Sequence, residues 1–301
     1  MNDLHLGEAA ISRVTELERW PFIPKELFPA ITDEIAERAA RDLGPRFVDA
    51  VTGELILSIN CYVIRAAGRI IVVDSGNGNF KERPALLAHH RFDTPYLERL
   101  AAAGVRPEEV DVVVSTHLHP DHCGWNTRLE AGRWTPTFPN AVYLFGRSEF
   151  EWLEALFRSD PDDPVLADLA HTFADSVEPV VRAEQAVLVG EEHVVLDEGG
   201  VRVSLRGMPG HTGGHLAVDV YGGGHHALIS GDVIHHPLQF AVPELAQGGD
   251  QDPEQAARTR RALMEECAAD RTILLPAHFP GPAAGRVIRE GGRFSYDWLP
   301  D

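Results

Sequence analysis

The sequence is poor in cysteine and lacks a cysteine pair. Its 301 residues include only three cysteines, Cys61, Cys123 and Cys267, which lie far apart. An odd number of widely spaced cysteines argues against the disulfide framework that stabilises small secreted domains. The N-terminus also lacks a basic segment followed by an apolar run, so no secretory signal is predicted. We therefore expect a reduced, cytoplasmic protein.

Long apolar runs and positive charge are also scarce. No apolar run approaches the roughly 18 residues that a membrane-spanning helix needs, so no membrane association is predicted. Lysine and arginine number 27 against 46 aspartates and glutamates, which gives a net charge of -19. Such an acidic surface repels phosphate backbones, and we expect no nucleic-acid partner. Because 44% of the residues are hydrophobic and no linker interrupts the chain, residues 1–301 are predicted to form a single domain.

One stretch concentrates the side chains that bind metals, in the order His-x-His-x-Asp-His. Its ligand-type residues are His117, His119, Asp121 and His122. The apolar, β-branched run 112–114 before them predicts a buried strand that ends where the polar residues begin. Side chains alternate along an extended chain, so the first two histidines should share a face, while Pro120 turns the chain toward a second point. Neutral imidazole and carboxylate are ligands for zinc, and they also suit iron or manganese.

Three further ligand-type residues each follow a predicted strand in the second half of the chain. His211 lies in the glycine-rich loop 207–215, Asp232 follows the strand 227–230, and His278 follows the strand 273–275. Other strands are predicted over 11–17, 55–64, 69–73, 141–145, 187–189, 194–196, 201–206 and 216–220. Helices are predicted over 95–103, 148–157 and 256–268, with a loop over 134–139 and a solvated break over 160–164.

Residues 20–45 are expected to form a cap over a pocket or a wrap on the core. Prolines among aromatic residues over 20–24 and 27–29 predict a rigid, irregular segment. Thr32 is a suitable cap for a helix that ends at Gly44. The pattern of this segment fits both roles equally well.

Together, the seven ligand-type residues resemble the metal-binding pattern of the metallo-β-lactamase superfamily. Its hydrolases carry His-x-His-x-Asp-His followed by a distant His, a bridging Asp and a last His, and the resemblance runs from about Leu55 to about His278. It implies an α/β (α+β) fold, the αββα sandwich, with the metals at the edge between two sheets. It also implies the ligand sets: one metal held by His117, His119 and His211, a second by Asp121, His122 and His278, and Asp232 bridging them.

The stretches 58–62, 121–126 and 231–239 resemble the branch with N-acyl homoserine lactonases, pyridoxolactonase and methyl parathion hydrolase. This resemblance implies two divalent ions, expected to be zinc, and a bridging hydroxide that attacks the carbonyl carbon of a lactone or related ester. One ion would polarise the carbonyl oxygen, and the other would receive the leaving alkoxide. A phosphotriesterase or a hydrolytic dehalogenase on the same ions is the alternative. The implied partners are a small-molecule substrate and a second copy of the chain in a homodimer.

The sequence departs from the homoserine lactonases at His235, where those enzymes place a tyrosine three residues after the bridging Asp. An imidazole with an unperturbed pKa of about 6.5 can donate a proton to a leaving alkoxide near neutrality. His235 is therefore a candidate catalytic residue, together with Asp121, which offsets part of the metal charge. The alternative for His235 is that it only packs or holds Asp232 in place.

Other residues carry weaker signals. His215 is expected to support the site, Cys123 to pack as a small hydrophobic residue, and Trp125 and Phe279 to line an apolar pocket. Asp74, at the end of a predicted strand, is expected to accept backbone hydrogen bonds, with support of the metal site as the alternative. The remaining histidines are expected in turns or on the surface, namely His89, His90, His225 and His226.

Two other function classes agree less well with the sequence. An oxygen- or nitric-oxide-reducing di-iron protein usually needs a flavin-binding domain and a carboxylate-richer ligand set, and the sequence offers neither. A non-catalytic binding module that kept this fold would normally have lost ligands, whereas all seven are present here. A metal-dependent hydrolase is therefore the predicted function.

Overall fold

Two large β-sheets form the framework of the protein. The computed structural model describes residues 3–300. Their strands are β1 (Leu4–Leu6), β2 (Ala9–Phe22), β3 (Leu55–Ala66), β4 (Arg69–Val73), β5 (Val112–Val114), β6 (Thr127–Glu130), β7 (Arg133–Pro136), β8 (Val142–Gly146), β9 (Ala186–Val189), β10 (Glu192–Glu198), β11 (Val201–Gly207), β12 (Leu216–Gly222), β13 (His225–Gly231), β14 (Ile273–Pro276), β15 (Gly285–Glu290) and β16 (Arg293–Trp298).

The order of the strands divides the chain into two halves. The first sheet has the order β1-β2-β3-β4-β5-β8-β9, and the second has the order β10-β11-β12-β13-β14-β15-β16. The pairs β4–β5, β5–β8, β8–β9 and β13–β14 are parallel, whereas the other pairs in both sheets are antiparallel. Strands β6 and β7 form a separate two-stranded hairpin.

Helices cover the outer faces of both sheets. The α-helices are α1 (Pro24–Leu27), α2 (Asp33–Leu43), α3 (Tyr96–Ala102), α4 (Pro120–Cys123), α5 (Arg147–Ser159), α6 (Pro164–Thr172), α7 (Glu178–Arg182), α8 (Leu238–Ala241) and α9 (Pro253–Asp270). A π-helical segment, Phe173–Val177, joins α6 to α7, and short 3₁₀ turns occur at Leu87–His89, Pro107–Glu109 and Gly124–Asn126. In the part of the chain that the structure describes, no helix is long and apolar enough to cross a membrane.

Alternating side chains of buried strands create the layers. Tyr62 and Ile64 of β3 pack between the two sheets with residues such as Val218, whereas Cys61 and Val63 pack against the helices on the other face. Successive side chains of a strand point to opposite faces, so a strand covered on both sides reads as an almost continuous apolar run. Helix α9 covers the outer face of the second sheet through Leu263, Met264 and Cys267. This is the predicted αββα sandwich.

The N-terminal segment differs from the prediction at its start. Strand β2 continues through Trp20 and Pro21 to Phe22, so the prediction of an irregular segment over these residues was wrong. Strand β1 pairs only with Ala9–Ile11, which leaves this end of β2 at the sheet edge. Proline is tolerated there because its missing N–H removes no sheet hydrogen bond.

Helix α2 is the predicted helix. The segment that contains it packs on the core and also covers a cavity. Thr32 accepts a hydrogen bond from the backbone N–H of Ile35, and Gly44 ends the helix with a φ of 71°. Phe28 lies in the core beside α9, whereas Leu27 and Pro29 also line a cavity. The two roles that the sequence left open, cap and wrap, are therefore combined in one segment.

Several elements were absent from the predictions. The region predicted as a loop, 134–139, starts with residues of strand β7. There the Trp134 ring lies 3.7 Å from Nζ of Lys81. The predicted break over 160–164 ends at Asp163, whose side chain caps α6 by accepting the N–H groups of Val165 and Leu166. The hairpin β15–β16 adds two further strands to the second sheet.

Candidate metal centre

The ends of several strands meet at one edge of the sandwich. Strand β13 runs parallel to β14, with Gly231 opposite Pro276, so Asp232 and His278 both follow the carboxyl ends of neighbouring strands. Strand β5 ends at Val114 and leads into the His-x-His-x-Asp-His stretch, where Pro120 begins helix α4. Because parallel strands bring their carboxyl ends to the same edge, residues far apart in the sequence converge there.

All seven residues predicted as ligands come together at this edge. Ligand atoms within 4.8 Å of one another define four groups: His117, His119 and His211; His117, His122 and Asp232; Asp121, His122 and His278; and His211, Asp232 and His235. The last group contains His235 as well. The arrangement therefore offers one cluster of donors with Asp232 at its centre.

Asp232 lies between the two halves of the cluster. Its Oδ1 is 3.1 Å from Nε2 of His122 and 3.0 Å from Nε2 of His278. Its Oδ2 is 3.4 Å from Nε2 of His211 and 3.8 Å from Nε2 of His117. Oδ2 is also 3.1 Å from Nε2 of His235, so the two oxygens of the carboxylate face different sets of imidazoles.

Hydrogen bonds on the far side of the rings fix which nitrogen faces the cluster. Nδ1 of His122 lies 2.8 Å from Oδ2 of Asp74, and Nδ1 of His211 lies 2.8 Å from Oδ1 of Asp250. Nδ1 of His278 donates to the carbonyl oxygen of Ser58 over 2.8 Å. Each of these three imidazoles therefore turns Nε2 inward, as histidine ligands do when an outer partner fixes their tautomer.

His119 has the opposite ring orientation. Its Nδ1 lies 2.9 Å from Nε2 of His211, so this nitrogen faces the cluster. Nδ1 of His119 and Nε2 of His211 point at the same space. Neutral imidazoles bind cations through the lone pair of such a nitrogen.

Unpartnered buried atoms show that the cluster fits a cation. Nε2 of His117, Nε2 of His122 and Oδ1 of Asp232 are buried and have no hydrogen-bond partner among residues 3–300. Buried polar atoms without partners are costly, because each has lost its hydration. Imidazole nitrogens and carboxylate oxygens are the donor types that bind divalent metal ions, so the cluster fits a metal site.

The charges inside the cluster also favour a bound cation. Burial lowers the pKa of His117 well below its usual value, so this ring is neutral and can bind metal. Burial also lowers the pKa of His122, but the carboxylates of Asp232, Asp121 and Asp74 outweigh it and raise the pKa well above the usual value. These carboxylates need positive charge beside them, which a bound metal ion would supply.

Backbone contacts hold the ligand-bearing loops together. The carboxylate of Glu149 accepts the backbone N–H of Leu118 over 3.2 Å and that of Gly214 over 3.3 Å, which ties the two histidine-bearing loops to one side chain. Nε2 of His215 accepts the backbone N–H of Asp232 over 3.0 Å, a supporting role like the one predicted for it. Gly231 has a φ of 49°, and a Cβ there would lie 2.6 Å from Nε2 of His215, so no side chain fits.

A cavity of about 420 Å³ opens onto the cluster. Metal-cluster residues form its floor, including Asp121, His211, Asp232 and His235. Its walls are mostly apolar and come from β2, α1, β3, the turn before α3, and α6: Trp20, Phe22, Leu27, Leu57, Leu86, Val165 and Leu169. A small apolar molecule with one polar reacting group fits such a site.

Two residues predicted to line this cavity lie elsewhere. Trp125 sits in the 3₁₀ turn Gly124–Asn126, which directs its ring onto Tyr96 and its Nε1–H to Glu16 over 2.7 Å. Phe279 packs in the core with Phe240 and other aromatic side chains. Proximity in sequence to a ligand was therefore misleading, because the local turn decides where a side chain points.

Two other residues play larger parts than predicted. Asp74 accepts the backbone N–H of Thr116 over 2.7 Å, as expected, and also binds His122, so the favoured purely backbone role was incomplete. His89 lies in the 3₁₀ turn Leu87–His89, as predicted, and its ring also lines the cavity. Cys123, by contrast, is buried and donates to the carbonyl oxygen of His119, in agreement with a packing role.

Comparison with known proteins agrees with this geometry. A family model described as the metallo-beta-lactamase superfamily matches residues 56–278. The chain belongs to the metallo-β-lactamase superfamily. A comparison of the sequence with curated proteins gave no match.

Solved structures of other superfamily members share this fold. The hydrolase AbOPH of the beta-lactamase superfamily is 24% identical, with a TM-score of 0.80 over 100% of this chain and 97% of that one. The dizinc quorum-quenching lactonase AidC, solved with a product, is 18% identical, with a TM-score of 0.79 over 100% and 97%. A probable metal-dependent hydrolase from Staphylococcus aureus is 17% identical, with a TM-score of 0.76 over 99% of each chain. These structures share the fold; membership of the superfamily and the cluster of seven ligand-type residues are what support a metal-dependent hydrolase.

Proposed function

We propose that the protein binds two divalent metal ions, expected to be zinc, and hydrolyses a lactone or a related ester. The observation that carries the proposal is the position of Asp232, whose two oxygens face different sets of histidines. A carboxylate in that position is suited to bridge two ions. His117, His119 and His211 would hold one ion, and Asp121, His122 and His278 the other.

Two bound ions would supply a hydroxide nucleophile at neutral pH and would polarise the carbonyl group of the substrate. The protein itself orients the ligands through Asp74, Asp250 and the carbonyl of Ser58. Asp121 and Asp232 offset part of the charge of the ions. The apolar walls of the cavity bind the carbon chain of the substrate and exclude water from the reacting group.

His235 is proposed to assist the leaving group. It lies on the cavity floor, with Nε2 at 3.1 Å from Oδ2 of Asp232 and its ring stacked on His278 at a centroid distance of 5.7 Å. Burial lowers the pKa of His235, so the ring is neutral at rest, and its Nε2 would take a proton from the attacking water and pass it to the alkoxide that leaves a lactone. The competing role, holding Asp232 in place, uses the same nitrogen, and the two roles predict different kinetics.

Support for a lactone or ester comes from the cavity and from related structures. The cavity walls are apolar, which suits an acyl chain better than a highly charged substrate. The structurally similar AidC is a lactonase. A phosphotriester and an alkyl halide are the alternative substrates that a test of this proposal must include.

The test is a substrate panel with metal removal and return. The metal-loaded protein is assayed with an aliphatic γ-lactone, an aryl ester, a phosphotriester and an alkyl halide, then assayed again after chelation and after zinc is added back. We expect the lactone and the ester to be cleaved, the activity to disappear with the metal and to return with zinc. A preference for the phosphotriester or halide, or activity that survives prolonged chelation, would contradict the proposal.

We also propose a reducing compartment such as the cytoplasm. Cys61, Cys123 and Cys267 are all free thiols, and all three are buried. Disulfides are rare in cytosolic proteins, where thiols stay reduced. Labelling of the thiols in the unfolded protein without reductant should find three per chain, whereas fewer would indicate an oxidised form.

A further inference from the structure

His89 lies beside the candidate metal centre without belonging to it. It ends the 3₁₀ turn Leu87–His89, and its Nδ1 is 3.8 Å from Oδ1 of Asp121. Its ring contacts Trp20 edge to face at a centroid distance of 5.2 Å, and both rings line the cavity. Because the remaining wall residues are mostly aliphatic or aromatic, His89 is a polar group in an apolar surface close to the reacting centre.

Contacts on the inner side hold the His89 ring in one orientation. Nδ1 of His89 donates to Oδ1 of Asn77 over 2.9 Å, and the backbone N–H of Asn77 donates to the buried carboxylate of Glu16 over 2.6 Å. The indole N–H of Trp20 donates to the carbonyl oxygen of Ala88, which fixes the backbone next to the ring. The orientation of the imidazole is therefore set before any substrate binds.

The other ring nitrogen of His89 is left for a ligand. Nε2 has no hydrogen-bond partner within residues 3–300, and the ring faces the cavity. A neutral imidazole that donates through Nδ1 carries a lone pair on Nε2 and accepts hydrogen bonds there. Nδ1 is already used by Asn77, so the ring has one polar atom to offer.

We propose that Nε2 of His89 accepts a hydrogen bond from an N–H or O–H group of the substrate and thereby determines specificity. The proposal rests on the proposed function, since the carbonyl of the lactone or ester must sit over the metal ligands. His89 is next to Asp121, so the donor lies within a few atoms of that carbonyl.

The free-energy cost of an unpaired hydrogen-bond donor makes this contact selective. A donor enclosed by apolar walls loses its water, and leaving it without an acceptor costs roughly 1–3 kcal/mol. By the same reasoning, a substrate without the donor neither gains from His89 nor loses when the residue is replaced. The two kinds of substrate should therefore respond differently to one substitution.

The test compares two matched lactones on three variants. The substrates are an α-acylamino-γ-butyrolactone, which has the amide N–H, and the α-acyloxy analogue, in which oxygen replaces N–H. His89→Phe keeps an aromatic ring against Trp20 but removes the acceptor, and His89→Gln restores an acceptor oxygen. His225→Phe makes the same chemical change at the exposed first residue of β13.

We expect His89→Phe to lower kcat/KM for the amide substrate relative to the acyloxy substrate by roughly 5- to 100-fold, the rate equivalent of the unpaired donor. His89→Gln should recover part of this ratio, and His225→Phe should leave it unchanged. Loss of metal or of folding lowers both rates together, so the ratio is insensitive to them. An unchanged ratio in His89→Phe would overturn the inference about His89, whereas failure of the wild-type protein to cleave either lactone would overturn the proposed function instead.

Discussion

Nδ1 of His122 lies 2.8 Å from Oδ2 of Asp74, at the end of β4 in the neighbouring part of the sheet. The other oxygen of the same carboxylate accepts the backbone N–H of Thr116 over 2.7 Å. One buried side chain therefore orients a metal-binding ring and fixes the start of the loop that carries the other ligands. Strand pairing, through β4 and β5, determines the geometry of the candidate centre.

Replacing Asp74 with Asn should weaken metal binding without removing a ligand. The amide cannot accept from both Thr116 and His122 as the carboxylate does, so the His122 ring loses its fixed orientation. Such outer partners typically contribute 10- to 100-fold to metal affinity, and we expect a loss of about that size. Competition with a coloured chelator measures it, and an affinity equal to that of the wild type would show that the hydrogen bond is without consequence.

The bridging position of Asp232 leads to a prediction about metal content. Asp232→Ala should lower the occupancy of both ions, since one carboxylate faces both ligand sets. His278→Ala should lower mainly the occupancy of the ion held with Asp121 and His122. Elemental analysis after equilibration in limiting zinc provides the comparison. Equal losses in the two variants would contradict the bridging role of Asp232.

Substrates with different leaving groups distinguish the two roles of His235, which are assisting the leaving group and holding Asp232. An aliphatic alkoxide gains from protonation, whereas a nitrophenolate leaves without help. His235→Ala should therefore slow hydrolysis of an aliphatic lactone by roughly 10²–10⁴-fold, the usual contribution of general acid catalysis, and slow a 4-nitrophenyl ester much less. Metal content is measured alongside. Equal slowing of both substrates with a parallel loss of metal would assign His235 to holding Asp232 instead.

Much of the site could be predicted because its chemistry is local or lies at strand ends. The run Val112–Val114 marks a buried strand, and the four ligand-type residues that follow are close in sequence, so spacing alone identifies them. His211, Asp232 and His278 follow predicted strands, and the family pattern groups them with that stretch. These features depend on a few neighbouring residues, which a single sequence contains.

Other features depend on contacts between distant segments. His89 reaches the cavity because Asn77 and Trp20 hold it, and neither contact is visible in a local pattern. Trp125 points away from the cavity because Glu16, 109 residues earlier, accepts its indole N–H. The start of α6 was missed, although Asp163 followed by Pro164 is a recognisable helix start.

Glu16 predicts a pH dependence of stability. Burial raises the pKa of this carboxyl from 4.5 to about 7, despite hydrogen bonds from Asn77, Trp125 and Thr94 that lower it. The folded protein therefore holds a proton that the unfolded chain releases between these values, so the contribution of Glu16 to stability falls as pH rises through this window. Between pH 5.5 and 8.5 the loss should be about 2 kcal/mol.

The variant Glu16→Gln provides the control for this effect, because its amide does not ionise. The free energy of unfolding of both proteins is measured from urea denaturation at pH 5.5 and at pH 8.5, with the metal present throughout. The stability of the variant relative to the wild type should increase between the two pH values. A difference that does not change with pH would show that Glu16 is ionised in the folded protein at both.

The proposed hydrolysis of a lactone or ester depends on two metal ions held by the seven ligands around Asp232. The most direct measurement is a titration of the metal-free protein with zinc, in which lactone hydrolysis is recorded against the number of ions bound per chain. We expect activity to rise as zinc binds and to reach its plateau at about two ions per chain. Full activity in the metal-free protein, a plateau at one ion per chain, or no cleavage of a lactone or ester at saturating zinc would contradict this.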